Sequence, residues 1–117
     1  MVCGRDVALL AADVLDRKKG IGVVVMDISE KSSFADYFVI SSGNTTRQVG
    51  SLADDVRREL EKDGAIPRGA EGTAESGWVL LDYGDVIVNI FTNEQRALYQ
   101  LERIWGDGEV IGLEQEP

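Results

Sequence analysis

The sequence predicts a single α/β domain, a small mixed β-sheet packed by helices, with elements in the order helix, strand, strand, helix, strand, strand, helix. Three observations predict it. Two stretches carry apolar residues at helical spacing behind a Thr-x-x-Gln capping box, one at Thr45 to Gln48 and one at Thr92 to Gln95. Four short runs rich in β-branched and aromatic residues, Val23 to Met26, Tyr37 to Ile40, Trp78 to Leu81 and Val86 to Phe91, read as strands. A helix joins the second strand to the third, which provides the crossover for a parallel pair, whereas Asp82-Tyr83-Gly84-Asp85 is a tight turn that calls for an antiparallel one.

The first helix is expected over Arg5 to Lys18. Val7, Leu10, Ala11, Val14 and Lys18 lie at helical spacing, and Ala8, Leu9, Ala12 and Leu15 widen the apolar side. Lys18-Lys19 suit a helix C-terminus and Gly20 a stop. The uninterrupted run Val23-Val24-Val25-Met26 fits a strand buried on both faces. Ser29 to Asp36 is polar apart from Phe34 and Ala35 and reads as a loop. The second strand, Tyr37 to Ile40, ends at the turn-rich Ser41-Ser42-Gly43-Asn44. The second helix starts at Thr45 or Thr46, buries Val49, Leu52, Ala53, Val56 and Leu60, and exits at Gly64. Gly64 to Gly77, with Pro67, is the longest connector, within which Glu71 can open a short edge pairing. Trp78 to Leu81 and Val86 to Phe91 form the hairpin, with Val86, Val88 and Ile90 as its core side. The last helix has Ala97, Leu98, Leu101, Ile104 and Trp105 as its buried stripe. Residues 1–105 therefore make one domain, and 106–117, with Asp107, Glu109, Glu114 and Glu116 and no basic residue, are expected to form a mobile acidic tail, docked if at all through Val110 and Ile111.

Composition narrows the function classes. At 117 residues and 44% hydrophobic content the chain suits one globular domain. Lys+Arg is 12 against 21 Asp+Glu, a net charge of -9, which argues against a general binder of free nucleic acid and suits a basic protein partner. There is no histidine and one cysteine, Cys3, so the commonest general base and metal ligand is missing and no intrachain disulfide can form. No apolar run is long enough to span a bilayer, and the N-terminus, broken by Asp6 and Asp13, resembles no targeting peptide. A cytoplasmic protein without a membrane partner is the expectation.

Asp36-Tyr37-Phe38-Val39-Ile40-Ser41-Ser42-Gly43, followed by Arg47-Gln48-Val49, resembles the signature of the ribosomal silencing factor family, also called RsfS or Iojap-like. The resemblance continues at Ala53-Asp54 and through Trp78 to Val86, and closes with Glu94, Arg96, Tyr99, Leu101-Glu102 and Trp105. It departs at Asn89, where the family usually has histidine, and at Gln95, which interrupts the Glu-Arg order. The resemblance implies a nucleotidyltransferase-like fold without the catalytic site, and a non-enzymatic protein without cofactor or metal. It implies binding to the large ribosomal subunit through a ribosomal protein on the intersubunit face, so that joining of the small subunit is sterically blocked. Translation then falls in starvation or when growth stops. Homodimers in the family imply that self-association is open to this chain.

The candidate protein-binding residues follow from both readings. Trp78, Leu80 and Asp82 share one face of a strand by its two-residue period, and Ile87 shares a face with Asn89 and Phe91 in the partner strand. Trp78 reads from the residues alone as a packed core tryptophan first; tryptophan is enriched at interface hot spots, and the resemblance tips it toward a docking anchor. Asp82, Tyr83 and Asp85 at the hairpin tip are either good turn chemistry or an acidic, aromatic contact for a basic protein. Asp36 and Tyr37 admit the same two accounts. Arg47 is a solvent charge, a partner for Asp36, or a ribosome contact.

Three other readings compete, the blandest being a homodimer whose sheet face or acidic surface binds an unrelated protein, which composition alone allows. A large-subunit assembly factor would use the same residues. A metal-dependent nucleotidyltransferase would need carboxylates gathered near a phosphate-binding turn. Gly43-Asn44-Thr45-Thr46-Arg47 offers a strand-turn-helix for the phosphate, but with too few glycines and no lysine for a P-loop. Asp54 and Asp55 fall within a helix, where neighbouring side chains point apart.

Overall fold

The computed structural model describes residues 4–29, 35–99 and 109–111, and at 98, 99 and 109–111 the backbone only. Alanine and leucine favour helix over Gly4–Arg17 (α1), which is followed by the strands Ile21–Asp27 (β1) and Tyr37–Gly43 (β2). Thr46–Lys62 forms α2, Gly69–Thr73 β3, Trp78–Asp82 β4, Val86–Thr92 β5, Asn93–Tyr99 α3 and Glu109–Ile111 β6. The six strands make one sheet in the order β3-β4-β5-β2-β1-β6. The helix crossover produces the parallel pair β2–β5, with Tyr37 beside Val86 and Gly43 beside Thr92. The Asp82 to Asp85 turn produces the antiparallel pair β4–β5, closed by the Tyr83 N–H donating to the Val86 carbonyl at 2.8 Å. The mixed α/β architecture is thus the one expected, with two edge strands added.

Both fall where the sequence offered only an option, an edge pairing at Glu71 and a docking through Val110 and Ile111, and both have physical reasons for showing no strand pattern. β3 is Gly69-Ala70-Glu71-Gly72-Thr73, exposed throughout, so it carries no alternation; backbone pairing to β4 holds it. β6 places three residues of the expected mobile tail as a strand against β1, with Val110 opposite Met26 and Ile111 opposite Val25. The remaining tail residues lie outside the described residues, as do Leu101, Ile104 and Trp105 of the predicted stripe. Ala97, placed in that stripe, is exposed.

The sheet has two unequal faces. Helices α1 and α2 cover the first, where Val7, Ala8, Ala11, Val14 and Leu15 of α1 and Val49, Leu52, Val56 and Leu60 of α2 pack with Val25, Val39, Leu81, Val86, Val88 and Ile90. The predicted core side of β5 is therefore the helix side. The second face carries Met26, Ile28, Ala35, Phe38, Ile40, Ile87 and Phe91, with Val24, Trp78 and Leu80 partly buried against them. Apolar residues on both faces of β1 and β2 explain their uninterrupted runs.

The helix ends show how the chain is spent. Thr45 caps α2, its Oγ1 accepting from the Gln48 N–H at 3.1 Å. The Gln48 side chain then accepts from the Asn44 N–H at 2.7 Å and donates to the Lys19 carbonyl at 3.2 Å, tying the two helix ends together. α1 ends in a Schellman arrangement, Gly20 N–H to the Leu15 carbonyl at 2.7 Å and Lys19 N–H to the Asp16 carbonyl at 3.1 Å. The left-handed residue is Lys19, at φ 71°, and not Gly20. Gly20 is needed for close approach instead, because a Cβ there would stand 2.6 Å from the Ser41 hydroxyl and 2.9 Å from the Leu15 carbonyl. Among the described residues no helix is long and apolar enough to cross a membrane.

Candidate docking surface

Strand parity and register build one surface from four of the predicted residues. Trp78, Leu80 and Asp82 project from β4 on the second face, all half-buried, while Val79 and Leu81 enter the helix-side core. Across the hairpin Trp78 meets Phe91, Leu80 meets Asn89 and Asp82 meets Ile87. On the other flank β3 sets Thr73, Glu71 and Gly69 against the same three positions. Nothing larger stands there on that strand, which is why the Trp78 to Leu80 strip keeps part of its apolar surface in solvent.

Phe38 and Met26, both buried, and the partly buried Val24 continue this face of the sheet across β2 and β1. The sequence does not assign them to this face, because in an uninterrupted apolar strand the parity is legible but the face is not. Only the pairing of Phe38 with Ile87 assigns it.

Trp78 is held in place. Its ring stacks on Phe91 with centroids 6.2 Å apart and planes 12° from parallel. Its Nε1–H donates to Asn89 Oδ1 at 3.2 Å. At the far end of the strip Asp82 Oδ1 accepts from the Gly84 N–H at 2.8 Å, and Arg68 Nη2 stands 3.6 Å from its other oxygen. Asp82 is therefore half committed to its own turn, as the turn reading expects.

The other predicted residues lie elsewhere. Asp36 and Asp85 meet at the hairpin end, where the Asp36 and Tyr37 N–H groups both donate to the Asp85 carbonyl, at 2.8 and 3.0 Å. Both aspartates are exposed and stand beyond the Asp82–Ile87 row. Tyr37 and Tyr83 pack half-buried on the helix side of the sheet. Arg47 is exposed in the first turn of α2, past the far end of β2 from Asp36. A strand of that length separates the two by roughly 20 Å, so the ion pair considered for them does not form.

The Tyr83 hydroxyl is buried without a hydrogen-bond partner among the described residues, and burial pushes it up to about 12, against a small opposing pull from Arg57. Folding thus holds this proton more tightly than the unfolded chain does, near 10. Its contribution is full below about pH 10 and lost as pH climbs toward 12. Tyr83→Phe is expected to leave stability at pH 7 unchanged or raised by about 1 kcal/mol, the orphan hydroxyl being gone. The gain should be larger at pH 11. Urea midpoints of the two proteins at both pH values measure it.

The strand-turn-helix considered for phosphate opens on a cleft of about 310 Å³ lined by Asn44, Thr45, Thr46, Thr92, Asn93 and Glu94. An Asn93 to Asn44 side-chain hydrogen bond of 2.9 Å crosses it, and its charged lining residue is an acid, which repels phosphate. Asp55 pairs with Arg58 on α2. Among the described residues no group of three or more His, Cys, Asp or Glu could hold a metal ion.

Comparison with known proteins adds the family. Residues 4–117 match the family described as "Ribosomal silencing factor during starvation". A relative from Halalkalibacterium halodurans, "Ribosomal silencing factor RsfS", is 36% identical over 110 residues, covering 94% of each chain. The crystal structure of a Chromobacterium violaceum protein superimposes with a TM-score of 0.86 at 30% identity, over 99% of this chain and 91% of that one. More distant is the mouse "Mitochondrial assembly of ribosomal large subunit protein 1", 24% identical over 105 residues, 86% of this chain and 45% of the relative.

Proposed function

Since the chain belongs to the ribosomal silencing factor family, RsfS, we propose that it binds the large ribosomal subunit at its intersubunit face and sterically blocks joining of the small one. Translation falls as a result when nutrients are short. The docking surface is the second sheet face, with Trp78 as anchor, Leu80 beside it and the buried Ile87 supporting both from beneath, and Asp82, Asp36 and Asp85 as an acidic rim toward a basic ribosomal protein. The observation that carries this reading is the half-buried Trp78–Leu80 strip on a face the two long helices leave alone. A rigid sheet needs no moving part for this. Occlusion depends on position and affinity, and the net charge of -9 favours encounter with a basic surface.

The protein acts in the cytoplasm in this proposal. The homodimer implied by the resemblance is also carried as a proposal, read from the mass of the free protein in solution. A second reading, assistance to large-subunit assembly, is favoured by the mouse relative's name.

Light scattering during subunit joining tests the first reading. Large subunits incubated with the protein should join small subunits more slowly in proportion to occupancy. Unchanged joining at saturating protein would contradict silencing and leave the assembly reading, which immature particles in a deletion strain would then support.

A further inference from the structure

We infer that Asn89 is a positioning residue for the docking anchor, kept at the expense of the fold in order to fix the Trp78 indole. The inference rests on the docking reading above and deepens it.

Asn89 is in the wrong place for packing. It lies in the middle of β5, between β4 and β2, and is 1% exposed. Its direct neighbours across the two pairings are Leu80 and Ile40, both apolar. Asparagine is disfavoured in strands, and a buried amide is costly unless its hydrogen-bonding groups are met. Here they are half met. Oδ1 accepts from Trp78 Nε1 at 3.2 Å, and Nδ2 is buried without a partner among the described residues. Turning the amide over would not repair this. Indole nitrogen only donates, so the oxygen must face it and the nitrogen is left over.

Among the described residues the one side-chain hydrogen bond of Asn89 is therefore the one to Trp78. Trp78 is directly opposite Phe91 and diagonal to Asn89, within reach of a long side chain. Stacking on Phe91 fixes the plane of the indole, and the bond to Asn89 fixes its rotation within that plane. Together they hold the partly buried ring in one orientation before any partner arrives. Ordering the anchor in the free protein removes that cost from binding.

The inference separates stability from affinity. Asn89→Leu removes the orphan donor and fills the site with carbon, so the urea midpoint should stay level or rise. Hydrogen exchange of the Trp78 indole N–H, identified by its loss in Trp78→Phe, should quicken by about tenfold. Affinity for purified large subunits should fall roughly fivefold, the size of one lost hydrogen bond. In a Trp78→Phe background, where a smaller aromatic ring remains but the N–H is gone, the same substitution should change affinity by less than about twofold, because the coupling runs through that N–H.

Asn89→Ala repeats the test should the leucine variant fail to fold. Wild-type affinity in a folded Asn89 variant would overturn the inference. An equal loss in both backgrounds would overturn it too, since it would make Asn89 merely structural. If the wild type itself does not bind, the docking reading fails, and unchanged indole exchange would separately show that Asn89 does not hold Trp78.

Discussion

Trp78→Ala is expected to yield a folded protein that binds the large subunit at least about thirtyfold more weakly. Truncating a central tryptophan anchor costs about 2 kcal/mol or more of binding, and 1.4 kcal/mol is tenfold. Trp78 is half-buried and gives up its stack on Phe91 and its bond to Asn89, so the variant also loses stability, by about 2 kcal/mol. That is less than a domain of this size has to spare. Circular dichroism and a urea titration establish folding, and equilibrium binding to purified large subunits reads the affinity. Leu80→Ala should act in the same direction and less strongly, since it removes only aliphatic contact from the same strip.

Ile90→Ala should do the reverse. Ile90 is fully buried on the helix side of β5, paired with Val79 on β4 and Ser41 on β2. Removing it leaves a cavity under α1 and α2, at a cost of about 2–5 kcal/mol. Urea unfolding should report a much lower midpoint. The folded fraction should still bind with wild-type affinity, because the opposite face of the strand is unchanged. The two substitutions lie close together in the hairpin and differ in which side of the sheet they touch. Their contrast tests whether one face builds the fold and the other meets the partner.

Much of the architecture was legible because the chain marks it locally. The Thr45 and Thr92 caps, the α2 stripe from Val49 to Leu60 and the Asp82 to Asp85 turn all stand in the fold where the residues suggested. The parity of β4 correctly separated Trp78, Leu80 and Asp82 from Val79 and Leu81. What was not legible depends on partners distant in sequence. β3 is glycine-rich and exposed, so the sequence offered an edge pairing at Glu71 without bounds, and the edge of β4 makes it a strand. The exit of α1 was misplaced by one residue, because Gly20 answers to Ser41 across the sheet and leaves the left-handed position to Lys19.

The candidate site divides along the same line. Trp78, Leu80, Asp82 and Ile87 came together because two adjacent strands with a short turn admit few registers. Tyr37 and Tyr83 look from composition like surface aromatics of an acidic tip, yet strand parity turns both toward the helices. Arg47 and Asp36 are eleven positions apart, but an extended strand lies between them, and spacing in sequence becomes length in space. Asn89 was visible as a polar interruption of its strand face. Its bond to Trp78 was not, because a diagonal contact depends on the hairpin register.

Cosedimentation of the wild-type protein with purified large and small ribosomal subunits tests the central claim most directly. The account predicts stoichiometric pelleting with the large subunit, none above background with the small one, and loss of the large-subunit signal in folded Trp78→Ala. Absence of the wild-type protein from the large-subunit pellet, or equal recovery with both subunits, would contradict it.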